Sequence, residues 1–270
     1  MPELPEVETV KETLKKQVLN DIILEVEVNW DNIIEYPTVE EFKTQIKNQK
    51  INDIKRRGKW LMFYLDDYVL LSHLRMEGRY FIKHDEEVTK HEHVIFKLKS
   101  GRTLRYIDTR KFGKMHLIKK EEVMTREPLK SLGLEPWDKN LDINYLKEKY
   151  KNKRLPIKTV LLDQSILVGN GNIYADEVLF LSKINPHKKA SELTDEELKG
   201  IIENTKTVLE NAIKLGGTTI RTFESSEGVH GLFQNELHVH KMNICKICNQ
   251  NILVDKIGGR STYYCPNCQK

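Results

Sequence analysis

The sequence predicts an α+β protein in three parts: a β-rich first half behind one leading helix, a helical second half, and a short C-terminal hairpin built around cysteines. Three observations predict this order. Apolar residues alternate along several segments of the first half, they recur at helical spacing in the second, and all four cysteines lie in the last 26 residues. The 270 residues are enough for two domains with their own hydrophobic cores.

The leading helix is predicted over residues 5–19. Val7, Val10, Leu14 and Val18 recur at the spacing that places side chains on one helix face. Proline stands near the start of the segment, glutamates occupy its first turn and lysines lie further along. This order complements the helix dipole, which favours negative charge at the N-terminus and positive charge later.

Strands are predicted next. In "DIILEVEVNW" the alternation places Ile22, Leu24, Val26 and Val28 on one face. Further apolar segments read "KWLMFYL", "YVLLSHL" and "HVIFKLKSGRTLRYID". In the last of these, "KSGR" predicts a hairpin turn between two alternating runs, so the first half is expected to be rich in antiparallel strands.

The second half is predicted to be helical. A stretch containing glycine and proline at 133–140 predicts a linker. Thr194, with Glu197 three residues later, fits a capping box, and apolar residues then mark one helix face up to Gly216 and Gly217, which end it. The expected domains are the β-rich residues 1–135, the helical residues 136–235 and the cysteine hairpin 236–270.

The cysteines predict one structural zinc site. Cys245, Cys248, Cys265 and Cys268 form the pattern C-x2-C-x16-C-x2-C, and two close pairs of thiolates suit a tetrahedral Zn²⁺. The alternatives are reduced cysteine pairs without a metal, or disulfides, and disulfides are disfavoured in a cytoplasmic protein. Because so short a tail cannot build a large core, the metal is expected to supply much of its folding free energy.

Composition indicates an ordinary soluble protein and favours a nucleic-acid partner. Hydrophobic residues make up 39% of the chain, charged residues make up 31%, and no apolar run approaches the roughly 20 residues of a membrane span. The N-terminus lacks a signal-peptide pattern, so a cytoplasmic protein is expected. The net charge is only +4, but residues 55–60 and 139–158 are locally basic. Each cluster suits either a solvated surface or phosphate contacts, and two of them favour phosphate contacts.

The N-terminal residues Pro2 and Glu3 suggest a catalytic pair. Methionine before a small residue is normally removed, and its removal would turn the Pro2 nitrogen into a free secondary amine. Such an amine can attack a carbon and form an iminium, which divides one difficult step into two. Burial or nearby cations favour the neutral, nucleophilic form of an amine, and Glu3 could then give or take a proton. The alternative is a frayed terminus that only begins the leading helix.

Nine short motifs occur in order along nearly the whole chain. They read "PELPEVETV", "RRGKWLMFYL", "HLRMEGRY", "KHEHVIF", "DTRKFG", "VGNGNIYADE", "GGTTIRTF", "QNELHVH" and "GRSTYYCPNC". Together they resemble the bacterial formamidopyrimidine-DNA glycosylases. The resemblance implies a β-sandwich joined to a helical domain with a helix–two-turn–helix element and a zinc finger. It also implies an enzyme of base excision repair that removes oxidised purines, notably 8-oxoguanine and formamidopyrimidines, from double-stranded DNA and then cuts the strand at the abasic site.

The resemblance implies four catalytic residues. Pro2 would attack the deoxyribose C1′, expel the base and hold the sugar as a Schiff base, while Glu3 would protonate the ring oxygen. β-Elimination and then δ-elimination would release the 3′ and 5′ phosphates. Lys59 matches the family lysine that contacts phosphate and assists proton transfer. Arg260 matches the arginine that holds the phosphate flanking the lesion and assists δ-elimination.

Further residues match family positions that contact DNA. Met76, Arg110 and Phe112 match the side chains that fill the space left when a base leaves the stack. Arg110 could hydrogen-bond the orphaned cytosine. The remaining matches hold the DNA backbone, and they are His91, Arg154 and Asn172.

The sequence departs from the family pattern near the finger. His240 stands where the family usually has a tyrosine, and the linker before Cys245 is shorter, which bears on one phosphate contact and on the hinge of the finger. The loop at 223–233, expected to cover the flipped base, varies within the family and leaves the base preference open. Lys153 is the alternative to Arg154 at the matched position.

Other functions fit the sequence less well. Endonuclease VIII, the sister enzyme that prefers oxidised pyrimidines, usually begins "PEGPE" and lacks the Arg-x-Phe wedge in this form. A non-enzymatic DNA-binding protein would explain the basic clusters and the cysteines, but it needs no Glu3 beside an amine that can be unmasked. A metal-dependent nuclease needs clustered carboxylates, which the sequence places only at helix starts. One active site and no sign of an oligomer interface predict a monomer, without a membrane partner.

Overall fold

The computed structural model describes residues 2–84, 86–218 and 231–270, and the chain forms two compact units. In these ranges, no helix is both long and apolar enough to cross a membrane. The predicted order of a β-rich half, helices and a cysteine hairpin is confirmed. Unit 1 comprises Met1–Lys130 and Thr218–Gly231, and unit 2 comprises Ser131–Gly217 and Leu232–Lys270.

Unit 1 is built from two five-stranded sheets and two helices, α1 (Leu4–Val18) and α2 (Val39–Ile46). Its strands are β1 (Ile22–Val28), β2 (Ile34–Tyr36), β3 (Gln49–Lys50), β4 (Asp53–Arg57), β5 (Trp60–Tyr64), β6 (Tyr68–His73), β7 (Arg79–Lys83), β8 (Glu92–Leu98), β9 (Thr103–Ile107) and β10 (Lys114–Lys119). One sheet has the order β3-β1-β8-β9-β7 and the other β2-β10-β6-β5-β4. The pairing is antiparallel except between β2 and β10, and the predicted "KSGR" turn joins β8 to β9 with Gly101 at φ +83°.

Helix α1 forms where the apolar spacing predicts it. Val7, Val10, Leu14 and Val18 are buried in one core. The same core contains apolar side chains from β1, β8 and β9 of one sheet and from β5, β6 and β10 of the other. Unit 1 is therefore a β-sandwich with a leading helix packed on its core.

Strand β1 departs from simple alternation. Its pairing with β8 shifts register between Ile23 and Glu25, as at a β-bulge. Ile23 and Val26 are buried, whereas Leu24 is 42% exposed. The prediction that Leu24 and Val26 share one face is therefore wrong, because an inserted residue reverses the alternation of side chains beyond it.

Unit 2 contains four α-helices and the C-terminal hairpin in its described part. These elements are α3 (Ile143–Tyr150), α4 (Ile157–Leu161), α5 (Asn172–Leu181), α6 (Asp195–Lys214), β11 (Leu253–Ile257) and β12 (Arg260–Tyr264). Helix α6 begins at the predicted capping box, where Thr194 N donates to Glu197 Oε2 at 2.8 Å and Glu197 N donates to Thr194 Oγ1 at 3.2 Å. It ends at Gly216 and Gly217, which have φ of +73° and +82° as predicted for a helix terminus.

The glycine of the predicted linker is held against a neighbouring segment of unit 2. Gly133 N donates to Gln164 O at 2.9 Å, and Leu134 N donates to Ile166 O at 3.0 Å. A Cβ atom on Gly133 would lie 2.2 Å from Ile166 O. The two backbones approach so closely that only glycine fits at position 133. The hydrogen bonds of Gly133 and Leu134 therefore fix the start of unit 2 against residues 164–166.

Candidate functional site

The predicted catalytic pair lies directly before α1. Pro2 and Glu3 are both buried, and Glu3 is only 2% exposed. The backbone nitrogen of Glu3 donates to Glu6 Oε2 at 2.9 Å. The other carboxylate oxygen of Glu6, Oε1, accepts from Thr218 N at 2.8 Å and from Thr218 Oγ1 at 3.2 Å. Glu6 therefore ties the pair to a segment 212 residues further along the chain, whereas the sequence indicated only a helix start for it.

Lys59 is carried by the turn between β4 and β5. Gly58 adopts φ +56°, in the left-handed region, and Lys59 is largely buried. Arg56 donates from Nη1 to Gly58 O at 3.0 Å and from Nε to Glu8 Oε2 at 2.8 Å. Because Glu8 belongs to α1, Arg56 connects the turn that carries Lys59 to the helix that begins at the catalytic pair.

The Glu8 carboxylate keeps its charge in this connection. Burial alone would raise the pKa of Glu8, but hydrogen bonds from Lys11 and Arg56, together with their positive charges, lower it below its ordinary value. Glu8 is therefore ionised at neutral pH and pairs with Arg56 as a charge-assisted hydrogen bond.

The three side chains expected to fill the DNA stack lie on two loops of unit 1. Met76 is on the first loop, residues 74–78 between β6 and β7, and Arg110 and Phe112 are on the second loop, residues 108–113 between β9 and β10. Phe112 is 48% exposed, and the Arg110 guanidinium lies 4.8 Å from the centre of its ring. An exposed aromatic ring stacked by a cation suits insertion beside DNA bases.

The two loops are joined and the second is shaped by a buried carboxylate. The Thr109 hydroxyl donates to the Glu77 carboxylate, and this hydrogen bond links the second loop to the first loop. Asp108 is buried and accepts from the backbone nitrogens of Arg110 at 3.0 Å, Phe112 at 2.8 Å and Gly113 at 2.8 Å. Sequence reasoning missed Asp108, although an aspartate at the start of a turn is a common signal of such bonding.

His73 holds the first loop from the end of β6. Its Nδ1 accepts a hydrogen bond from Arg75 N at 3.0 Å, and Arg75 adopts φ +53°. Burial, with Trp60 packed edge-on against the ring, lowers the pKa of His73 to about 3, helped by the charges of Arg75 and Lys59. The imidazole therefore stays neutral at pH 7, and Nδ1 remains an acceptor.

His91 lies at the base of the second loop. Its carbonyl oxygen accepts from Asp108 N at 3.1 Å. Its Nδ1 is buried and has no hydrogen-bond partner among the described residues. The structure thus places this expected DNA contact next to the loop of Arg110 and Phe112.

Asn172 and Arg260 lie in unit 2, where they line one cavity of about 340 Å³. Asn172 is the first residue of α5, and its Nδ2 donates to Ser261 O at 2.8 Å. In the turn before Arg260, Gly258 has φ +55°, and a Cβ atom there would lie 2.6 Å from Thr159 Oγ1. These contacts seat the finger hairpin on α4 and α5, so the two expected phosphate-binding side chains are positioned together.

A buried charged network borders this cavity. Lys158 Nζ donates to Asp176 Oδ1 at 2.5 Å and to Asn172 O at 2.8 Å. The second oxygen of Asp176 lies 2.7 Å from His240 Nδ1, and His240 also lines the cavity. Sequence reasoning missed Lys158 and Asp176, although acidic residues inside the apolar segment "NIYADEVLFL" were a signal of buried partners.

The segment that leads to the finger is fixed by Glu177. Its buried carboxylate accepts from the backbone nitrogens of His238 at 2.8 Å, Val239 at 3.0 Å and His240 at 2.9 Å. Burial would raise the pKa of Glu177, but the hydrogen bonds from His238 and these backbone nitrogens lower it. The shortened chain before Cys245 therefore starts from an anchored point.

The four cysteines come together as predicted. Their sulfur atoms all lie within 4.8 Å of one another, with 3.4 Å between Cys248 and Cys265 and 3.9 Å between Cys245 and Cys268. The cysteines are free of disulfides. Sulfur ligands about 2.3 Å from a tetrahedral ion lie roughly 3.8 Å apart, so the cluster fits one metal ion with four protein ligands.

Two further predicted features are the basic residue after α3, Arg154 or Lys153, and the loop at 223–233. Arg154 is exposed in the loop after α3, whereas Lys153 is partly buried and its Nζ lies 3.4 Å from Asp163 Oδ2. The loop expected to cover a flipped base, 223–233, falls outside the described residues as far as position 230.

Known proteins match the chain along its length. The model of the formamidopyrimidine-DNA glycosylase N-terminal domain matches residues 1–115, and the model of the formamidopyrimidine-DNA glycosylase H2TH domain matches residues 132–224. Two relatives named formamidopyrimidine-DNA glycosylase, from Oceanobacillus iheyensis and Bacillus cereus, are 47% and 48% identical to it over 273 residues. The alignments cover 100% of this chain and 98% and 99% of the relatives.

Solved structures agree with these relatives. A complex of a Lactococcus lactis FPG mutant with a Fapy-dG containing DNA and a complex of Lactococcus lactis Fpg with an abasic site containing DNA both superpose with a TM-score of 0.93. Each is 38% identical in sequence, and the match covers 100% of both chains. The two domain models together span well over half of the chain, and the relatives are similar throughout. The chain belongs to the formamidopyrimidine-DNA glycosylase family.

Proposed function

We propose that this protein is a bifunctional DNA glycosylase and AP lyase of base excision repair that acts on oxidised purines in double-stranded DNA. The observation that carries the proposal is the buried Pro2–Glu3 pair, held by Glu6 at the start of α1. A protein that only bound DNA would need no such pair. The Lactococcus lactis complexes with Fapy-dG and abasic-site DNA support the same substrate class.

Pro2 is the nucleophile in this proposal. Once Met1 is removed, the secondary amine attacks C1′ of the damaged nucleotide, the glycosidic bond breaks and the base leaves with a proton. Opening of the sugar ring then breaks the C1′–O4′ bond with protonation of O4′, and the resulting iminium makes the neighbouring C2′ proton acidic. β-Elimination then breaks the bond to the 3′ phosphate and δ-elimination breaks the bond to the 5′ phosphate, with the amine as electron sink.

Glu3, Lys59 and Arg260 assist these steps. Glu3 protonates the sugar ring oxygen and so opens the ring, and its backbone is already fixed by Glu6. Lys59, held in its turn through Arg56, contacts phosphate and assists proton transfer. Arg260 holds the phosphate beside the lesion and assists δ-elimination.

The remaining site residues hold and open the DNA. Asn172 donates to a phosphate without adding charge, next to Arg260 in the same cavity. We assign the chemistry to residues 1–135, the DNA grip to residues 136–235 and the finger to residues 236–270. The side chains that enter the DNA base stack are Met76, Arg110 and Phe112. Those that contact the DNA backbone are His91 and Arg154.

The ion of the cysteine cluster is proposed to be a single Zn²⁺ with a structural role. Four thiolates in two CxxC pairs suit zinc, and a site closed by four protein ligands leaves no position for a substrate. When bound, the ion stabilises the hairpin that carries Arg260. We also propose that the protein acts as a monomer in the cytoplasm, where thiols stay reduced.

Borohydride trapping tests the proposal. Wild-type protein is incubated with a duplex carrying 8-oxoguanine opposite cytosine, and reduction should leave a covalent adduct on Pro2. An extra residue placed before Pro2 should abolish the adduct. A wild-type protein that forms no adduct, or an extended protein that still forms one, contradicts the mechanism.

A second duplex decides the lesion class. A Lactococcus lactis Fpg complex contains an oxidised pyrimidine DNA, so an oxidised-pyrimidine duplex is run in parallel. Faster trapping on 8-oxoguanine supports a purine enzyme. Faster trapping on the pyrimidine lesion assigns the activity of the sister enzyme instead.

A further inference from the structure

The first and second loops of unit 1 are both built against one buried side chain. Tyr106, on β9, is 0% exposed, and its ring meets that of Tyr80 edge-on with centroids 5.2 Å apart. Gly78 ends the first loop and Gly113 ends the second. Each glycine lies directly against the hydroxyl group of Tyr106.

The space at the two glycines is closed by the same oxygen atom. A Cβ atom on Gly78 would lie 2.2 Å from Tyr106 Oη, and a Cβ atom on Gly113 would lie 1.8 Å from it. Neither glycine has a positive φ, so backbone conformation does not require glycine at these positions. Contact with the tyrosine hydroxyl is the feature common to both positions, and at Gly78 the carbonyl oxygen of Leu74, 2.6 Å from such a Cβ atom, adds to it.

The hydroxyl also lies beside the carboxylate that shapes the second loop. Burial first, and then the charge of Asp108, raise the pKa of Tyr106 well above its ordinary value, so the phenol keeps its proton. Asp108 in turn accepts the backbone nitrogens of Arg110, Phe112 and Gly113. A shift of the Tyr106 hydroxyl would therefore reach both loops.

We infer that Tyr106 is a positioning residue that couples the two loops, so that Met76 enters the DNA stack together with Arg110 and Phe112. The inference rests on the proposed function. When a base leaves the stack, the orphaned partner must be held and the space filled at the same time. Loops that moved independently would fill the space in stages, whereas loops seated on one hydroxyl present their side chains as one unit.

The test compares two buried hydroxyls of the same core. Tyr106→Phe removes the oxygen between the glycines. Tyr80→Phe is the matched control, because Tyr80 is also buried but its hydroxyl donates to Ser72 Oγ at 2.8 Å, away from both glycines. One substrate is an 8-oxoguanine duplex with 2-aminopurine next to the orphan cytosine, whose fluorescence reports insertion into the stack. The other is a single-stranded oligonucleotide with an abasic site, which has no stack to fill.

Tyr106→Phe should slow the fluorescence change on the duplex about tenfold, because the oxygen against which both glycines pack is lost and a space opens beside each loop. Tyr80→Phe should stay within about twofold of wild type on the duplex, since it leaves both loops seated. Both variants should cleave the single strand at the wild-type rate. Gly113→Ala, which keeps the hydroxyl but displaces it, should show the same slowing on the duplex alone.

Each other outcome overturns the coupling. An unchanged fluorescence change in Tyr106→Phe, or equal slowing in Tyr80→Phe, removes any special role of the hydroxyl. Loss of single-strand cleavage in Tyr106→Phe means that the hydroxyl acts on the reacting site or on folding. If wild type cleaves both substrates, such results refute only the coupling. If wild type cleaves neither, the proposed function fails and the coupling fails with it.

Discussion

The Glu6 carboxylate accepts a hydrogen bond from the backbone nitrogen of Glu3 at 2.9 Å. These residues occupy the N3 and N-cap positions of α1, where such a bond satisfies one unpaired donor of a helix start. Chain termini are mobile unless they are tied down. Here the bond also holds the residue next to the proposed nucleophile, so a helix-capping interaction orders the end of the chain that is proposed to react.

Glu6→Ala should reduce covalent trapping at Pro2. The change leaves two buried backbone donors, of Glu3 and Thr218, without their acceptor, which costs about 1–3 kcal/mol for each buried group. We expect the trapping rate on the 8-oxoguanine duplex to fall by about tenfold or more. Glu12→Ala, on the exposed side of the same helix, is the control and should trap as wild type does. Equal trapping by the two variants would contradict the positioning role.

Glu3→Gln should separate chemistry from binding. The amide keeps the shape of the side chain but cannot protonate the sugar, so base excision should fall by about two orders of magnitude or more. The dissociation constant for the lesion duplex, measured by fluorescence anisotropy, should stay within about threefold of wild type, because no phosphate-binding cation is lost. Unchanged single-turnover excision would remove Glu3 from the mechanism.

Gly258→Ala should weaken DNA binding more than Gly259→Ala. Both glycines have positive φ, so both substitutions strain the hairpin turn in the same way. A new Cβ atom at Gly258 meets Thr159 Oγ1 at 2.6 Å, whereas one at Gly259 meets nothing within 4 Å. Only the first change should displace Arg260, so the dissociation constant should rise and the slope of its salt dependence should fall. Adding Thr159→Ala to Gly258→Ala should restore part of the affinity. A double variant that recovers none of it would contradict the proposal that the contact of Gly258 with Thr159 positions the hairpin on α4.

Removing the metal should unfold the finger and spare unit 1. Chelation is expected to raise hydrogen exchange across residues 245–270, because the hydrophobic cluster of this segment is small and includes the cysteine ligands themselves. Cys248→Ser should have the same effect without a chelator. Pure, folded protein with a zinc content near zero would contradict the assignment.

His73 should make the protein less stable in acid. Its pKa is about 3 in the folded protein and about 6.5 when unfolded, so below pH 6.5 the unfolded chain binds the proton first. The stabilising contribution of neutral His73 is complete above pH 6.5 and is lost as pH falls toward 3. His73→Gln does not titrate, so urea unfolding at pH 7.5 and pH 5 should show wild type losing more stability than the variant. A difference between the two proteins that is constant with pH would show that His73 does not contribute.

Features that depend on near neighbours in the chain were predictable from sequence. The start of α1, the capping box of α6, the glycine end of that helix and the hairpin turn at Gly101 all depend on contacts within a few residues. The bulge in β1 could not be predicted from the sequence, because the pairing register depends on the partner strand as well as on the residues of β1 itself. Leu24 is consequently exposed where alternation predicted a buried face.

By itself, the sequence determined which groups are available for the proposed chemistry: the nitrogen of Pro2 behind Met1, the carboxyl group of Glu3 beside it, and four cysteines in two close pairs. Their identity and local spacing are written in the chain, and the ordered motifs indicated the family. The tertiary structure alone decided which partner each buried or partly buried charge meets: Glu6 accepts from Thr218, Arg56 pairs with Glu8, and Lys158 pairs with Asp176. A buried charge is stable only beside a partner that replaces its water, and the folded chain supplies that partner from positions that sequence spacing does not specify.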